Sequence, residues 1–284
     1  MMNLSTLIIT KRMRKFISKL ITKIKGELLK NNIFVEKTTS KNDLENFILN
    51  FKKKYISCNL IRIGARGDGG YLLPNNLDDV DYCFSPGVSS LFEFEKELSD
   101  SYNIKSFMAD GSVEGPQINE NNFQFIKKFI TSKTNENNIT LSEWVKKSIG
   151  NDPGNKILQM DIEGDEYDVL NYEDKDLLSS FSILIIEFHD FHKLFDAKFF
   201  KNLNSIFNKI FDNFSICHVH PNNCCGLAEN KNIQAPKVLE ITFLRNDLIS
   251  KFRNNSNIDL PHKLDKKNVE KNKEIKMPEI WWKN

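Results

Sequence analysis

Two periods of apolar and polar residues run along this chain. Between residue 3 and about residue 30, Leu7, Met13, Phe16, Ile17, Leu20, Ile21, Ile24 and Leu28 recur at helical spacing, the stripe of an amphipathic helix. From Asp43 onward, short apolar runs alternate with helical patterns. The runs predict strands over Tyr82–Phe84, Ile104–Ala109, Phe123–Ile130, Ile157–Asp161, Ile183–Phe188, Phe214–Val219 and Val238–Leu244. Helices are predicted over Leu44–Tyr55 with Asp43 as its cap, Leu91–Ser101, Leu141–Ser148, Tyr167 through Asn171 and onward, and Phe195–Ile210. Alternation of this kind predicts an α/β fold, a mostly parallel sheet with helices on both faces. Three parts follow: a basic arm over 1–42, a domain over 43–250, and a polar, lysine-rich tail over 251–284. The tail ends in Trp281 and Trp282, which are expected to dock on the domain.

Several strands end in chemistry. The run from Lys156 to Met160 stops at Asp161, Glu163, Asp165 and Glu166 around Gly164. Desolvating carboxylates is costly, so stability alone does not place them at the mouth of a buried strand. Ligands of open α/β sheets bind at the carboxyl ends of strands. The run Ile183–Ile186 is followed by Glu187, His189, Asp190 and His192, and His218 alternates with His220 on one strand face. Such a set could supply a general base or hold a divalent metal. Earlier, Ser85, Gly87 and Ser89 form a small-residue turn between strand and helix, where a backbone can approach a nucleotide-like cofactor. Asp110 closes the next strand, placed to accept hydrogen bonds from both hydroxyls of a ribose. Gly67, Gly69 and Gly70 let a loop carrying Asp68 and Tyr71 come close to another surface.

Composition narrows the classes. A net charge of +2 gives no argument for nucleic-acid binding, and no apolar stretch reaches the roughly eighteen residues of a membrane span. Five cysteines without scaffold spacing suit a reducing, cytoplasmic compartment. The first helix carries Lys11, Arg12, Arg14, Lys15, Lys19, Lys23 and Lys25 on its polar side, a pattern for an anionic inner-membrane surface or an acidic partner. Packing on its own domain or on a second subunit of a homo-oligomer would use the same stripe.

The residues also resemble a known family, the FkbM-like branch of class I S-adenosylmethionine-dependent methyltransferases. The resemblance covers roughly residues 58–245 and rests on four segments. These are Arg62 to Tyr71, the Ser85–Val88 turn with Phe94 and Glu95, Gln159 to Tyr167, and Glu187 to His189, with Thr140–Trp144 preceding the third. The family's glycine turn is richer and begins with an acid, where this chain has Ser85 and Pro86. The resemblance implies a seven-stranded Rossmann-like sheet with its last strand antiparallel. It also implies S-adenosylmethionine as cofactor and O-methylation of a sugar, glycan or related small metabolite. On that reading Asp68, Tyr71, Gly87, Ser89, Asp110 and Asp161 bind the cofactor. His189 is the first choice of base because its ordinary pKa is nearest neutrality, with Glu187 or His220 as substitutes. If a magnesium or manganese ion takes part, Asp161, Glu187 and His189 are its expected ligands. The rivals are a nicotinamide-dependent oxidoreductase, which lacks its glycine fingerprint here, and a non-catalytic module for assembly or membrane docking.

Overall fold

The computed structural model describes residues 4–30, 36–89, 91–116, 121–252 and 258–283. In chain order the first half runs α1 (Leu4–Lys30), α2 (Lys41–Lys53), β1 (Leu60–Gly64), β2 (Gly70–Pro74), β3 (Tyr82–Pro86), α3 (Glu93–Tyr102), β4 (Lys105–Ala109) and β5 (Phe123–Ile126). It continues through β6 (Phe129–Ile130), β7 (Asn138–Ile139), α4 (Leu141–Ile149), β8 (Lys156–Met160), α5 (Glu166–Tyr172), α6 (Lys175–Ser179) and β9 (Phe181–Phe188). The last part is α7 (Ala197–Phe211), β10 (Phe214–Pro221), β11 (Leu227–Asn230), β12 (Ile233–Pro236), β13 (Leu239–Arg245) and α8 (Ile249–Phe252).

Seven strands form the central sheet in the order β10-β13-β9-β8-β3-β4-β5. All are parallel except β13, which is antiparallel to both β9 and β10. The sheet is therefore the expected mostly parallel one, with the last strand reversed. Chain order turns back beside β3, because β4 and β5 lie on one side of it and β8 on the other. Loops after β3 and β8 part at that point and leave a crevice.

The two faces have separate cores. On one, Phe84, Leu158, Leu184 and Phe243 pack with α2, α4, α5 and α7. Trp281 is fully buried there against Phe47, Phe51 and Phe191, so the tail ends docked on this face. On the other, Cys83, Ile157, Ile183 and Leu244 pack with α3 and the β1–β2 hairpin. Thr242 in β13 donates to the Leu72 carbonyl, which ties the hairpin to that face.

Some expectations need correction. The strand expected over Phe123–Ile130 is broken, because Lys128 N–H turns back to the Ile126 carbonyl and the chain resumes as β6. Apolar character alone does not reveal such a turn. The cap of α2 is Ser40, whose side chain accepts from Asp43 N–H. Asp43 instead sits in the first turn, accepting from the Ser40 hydroxyl. The helix expected from Phe195 is a short 3-10 turn (Phe191–Phe195) followed by α7, which Asp196 caps. Cysteine has a local use: Cys224 and Cys225 form a vicinal disulfide, while Cys58, Cys83 and Cys217 are free and buried.

Along the stripe of α1, Met13, Phe16, Ile17, Leu20, Ile21 and Ile24 are exposed, from 46% at Ile17 to 68% at Phe16, while Leu28 is half-buried. The side chains of Lys11, Arg12, Arg14 and Lys15 lie outside the described residues. Among the described residues no helix is long and apolar enough to cross a membrane.

Candidate active site

The carboxyl end of β3 meets its neighbours at Gly87. Its N–H donates to the Ala109 carbonyl, and Asp161 N–H donates to the Pro86 carbonyl. Gly87 has φ +86, and a Cβ there would lie 1.6 Å from the Asp161 carbonyl oxygen. Only glycine meets both constraints. Ser89, also at positive φ, directs its N–H to Asp110 Oδ2 at 3.0 Å. Asp110 Oδ1 accepts from the Ser112 N–H and hydroxyl at 2.7 and 2.6 Å. A carboxylate oxygen can take two donors, so Oδ2 keeps capacity for another.

Two cavities open around this turn. The larger, about 370 Å³, is lined by Gly87, Ser89, Asp110, Phe129, Ile130 and Asp161, among others. It offers apolar walls at Phe129 and Ile130 and an acid at Asp110, which suits a nucleoside. The smaller, about 100 Å³, is lined by Asp68, Tyr71, Gly87, Ser89, Glu95 and Asp161, with Gln159 behind. Gln159 Nε2 donates to the Tyr71 hydroxyl at 3.1 Å, fixing the hairpin over this end. The structure thus gathers all six expected cofactor residues around two cavities that share Gly87, Ser89 and Asp161.

His189 follows β9, and its Nδ1 donates to Glu166 Oε1 at 2.9 Å. Glu166 is fully buried, and the same oxygen accepts from Ile162 N–H and Gly164 N–H, each at 3.2 Å. The carboxylate therefore shapes the loop after β8 and orients the imidazole together. Nε2 then faces Glu163 Oε2 at 3.3 Å, Asp161 Oδ1 at 3.8 Å and Glu187 Oε1 at 3.9 Å. Burial alone would lower the His189 pKa, but the Glu166 hydrogen bond and the charges of Glu166, Asp161 and Glu163 outweigh it and raise it to about 9. The imidazole in these surroundings is therefore charged at neutrality, and its ordinary pKa is not the reason it could act as a base. Asp161, Glu187 and His189, the expected metal set, do converge, but a protonated imidazole must lose its proton before it can bind a metal.

Other acids are held off their usual range. Burial lifts the Asp161 carboxyl to about 7, against the lowering effect of His189. Burial lifts Glu95 to about 7, and a Ser85 hydrogen bond opposes it. Burial, with Asp161 and Glu240 nearby, holds Glu187 well above the ordinary carboxylate range.

His220 sits elsewhere. Register places Glu187, Glu240 and His220 side by side on β9, β13 and β10. The His220 Nε2 hydrogen-bonds Asn268 Oδ1 at 3.1 Å, and its Nδ1 is 3.7 Å from Asp265 Oδ1. His220 lies two strands from Glu187 and lines neither of these cavities. Sequence reasoning named Glu163 and Glu166 only as members of an acidic cluster and Glu95 only within a motif, and it missed Glu240 and Asn268. Glu240 was the most accessible signal, a single acid in an apolar run.

A family model described as the methyltransferase FkbM domain matches residues 22–214. No curated protein matches the chain.

Proposed function

The chain belongs to the FkbM methyltransferase family, and from that premise we propose that it is an S-adenosylmethionine-dependent O-methyltransferase acting on a sugar, glycan or related small metabolite. One observation supports the cofactor above others: the close turn at Gly87, the acid Asp110 and Asp161 line one cavity. The cofactor, when bound, supplies an electrophilic methyl group. This chain's residues do the rest. Asp110 would accept from ribose hydroxyls, Phe129 and Ile130 would cover the base, and Asp161, Asp68 and Tyr71 would hold the sulfonium end. His189, oriented by Glu166, takes the proton of the acceptor hydroxyl at Nε2. A cation held beside Asp161 would supply positive charge there and would oppose protonation of His189. Glu187, with its raised pKa, is the substitute base.

The same reading places the protein in the cytoplasm, with α1 lying on an inner membrane surface. The charges support that occupant: residues 4–26 carry Lys11, Arg12, Arg14, Lys15, Lys19, Lys23 and Lys25 and no acid. Seven like charges per helix oppose pairing with a second copy and favour anionic lipid.

Calorimetry tests the cofactor. S-adenosylmethionine or its demethylated product should bind with a micromolar-range constant, about −8 kcal/mol. Asp110→Ala should weaken it by about 1.5–3 kcal/mol. No binding to wild type, or equal binding by the variant, contradicts the reading. A labelled-methyl screen of sugar and glycan acceptors then identifies the substrate.

A further inference from the structure

We propose that Asp68, which lines the smaller cavity, forms a site for a hard divalent cation with Glu187 and Glu240. Their carboxylate oxygens lie mutually within 4.8 Å. One ion can bridge such a set at oxygen distances of roughly 2.3–2.6 Å after a small contraction. Glu187 and Glu240 are only 3% and 6% exposed, and no lysine or arginine forms an ion pair with either among the described residues. Glu187 Oε2 is buried and meets no hydrogen-bond donor. Its other oxygen, Oε1, faces His189 Nε2 at 3.9 Å, so Oε2 is the atom left without a partner, and burying it so costs free energy.

The surroundings orient the set as an outer shell does around a metal. Asn222 Nδ2 donates to Glu187 Oε1 at 2.8 Å. Asn268 Nδ2 donates to Asp68 Oδ1 at 3.0 Å and to Glu240 Oε1 at 2.6 Å, while its own Oδ1 is held by His220. Each carboxylate thus uses one oxygen to be held, leaving the other for an ion. An all-oxygen set selects magnesium, manganese or calcium over zinc or copper. Asp68 is exposed and supplies the entry side. Five parts of the chain build the site, the hairpin loop, β9, the segment after β10, β13 and the tail, and of these only β9 was among the strand ends expected to hold a metal.

The assignment does not depend on methyl transfer, and its test needs no cofactor. Manganese titration of the full chain, followed by electron paramagnetic resonance, should show one bound ion. Asp68→Asn, at an exposed position, and the isosteric Glu240→Gln should each weaken it at least about tenfold, with thermal melts confirming that both variants fold. Glu163→Gln should leave binding unchanged. No binding at millimolar manganese overturns the proposal. Loss in Glu163→Gln with none in Glu240→Gln also overturns it, because the ion would then sit at Asp161, Glu163 and His189. Cofactor calorimetry on the same preparations reads the methyltransferase proposal separately.

Discussion

At the scale of single residues, the site is a competition among acids for few positive partners. Glu166 has won His189: it holds Nδ1 and leaves Nε2 toward Asp161, Glu163 and Glu187. His189→Ala should therefore leave cofactor affinity intact and lower turnover by about 10²–10⁴-fold, the usual size of a general-base contribution. The pH profile separates this role from a structural one. Wild-type kcat/KM should rise with pH toward the His189 value of about 9, because only the neutral imidazole accepts a proton. That limb should vanish in the variant. A variant that loses cofactor binding, or keeps the limb, would make His189 a packing residue. The identities of Asp161, Glu187 and His189 could be read from the sequence because each directly follows or ends an apolar run. Glu166 could not, since its tie to His189 spans 23 positions and depends on how two loops meet.

At the scale of elements, most strands were readable because apolar residues dominate their runs, in keeping with the burial of β8, β9 and β10 at every position. Their ends were less so, since Phe181 and Pro221 extend the pairing beyond the apolar stretch. The β6–β7 and β11–β12 ribbons were missed because strands of two to four residues carry too few positions to show a period. The turn after β3 is the element on which the proposed cofactor site depends. Its one glycine in place of several is enough because only Gly87 approaches backbone, at 1.6 Å for an added Cβ. Gly87→Ala must push the β3 turn away from the loop after β8. It should abolish detectable cofactor binding in calorimetry while the sheet, read by circular dichroism, persists. Unchanged affinity would show that the cofactor does not lie over this turn.

At the scale of the molecule, the buried acids and histidines whose pKa values are raised make stability fall as pH rises. Glu95 and Asp161 are raised to about 7 from ordinary carboxyl values of 4.5 and 3.8, so the folded state holds their protons more tightly than the unfolded chain does. Their contribution is lost as pH rises from the ordinary carboxylate range through about 7. His189 and His220 are raised from 6.5 to about 9, so their contribution is full below 6.5 and lost as pH climbs through 9. Asp265 acts oppositely, since its pKa is lowered despite burial by His218 and His220, and it matters only as pH falls below 3.8. The apo melting temperature should peak near pH 5 and fall steadily to pH 9 by scanning fluorimetry, with Glu95→Gln flattening the drop between 5 and 7. A melting temperature that climbs over this range contradicts the assignment.

The arm is the one large part of the molecule that the described structure leaves without a partner surface, and most of α1 precedes the matched family region, which begins at residue 22. Packing would have buried Phe16, Leu20 and Ile24, yet all three are about half exposed or more. A 27-residue helix with that stripe, flanked by lysines, has the makeup of an interfacial helix rather than a spanning one. Each basic residue near an anionic surface contributes about 1 kcal/mol, and salt screens it. Full-length protein should therefore sediment with phosphatidylserine-containing vesicles at low salt and release at high salt. Removing residues 1–30 should abolish sedimentation while leaving methyl transfer to a small soluble acceptor intact, because none of the residues lining either cavity lies in the arm. Replacing Phe16 and Leu20 by glutamate in the whole chain should do the same without shortening it. If full-length protein ignores such vesicles and the deletion instead splits a dimer, the stripe belongs to a second copy and the membrane assignment fails.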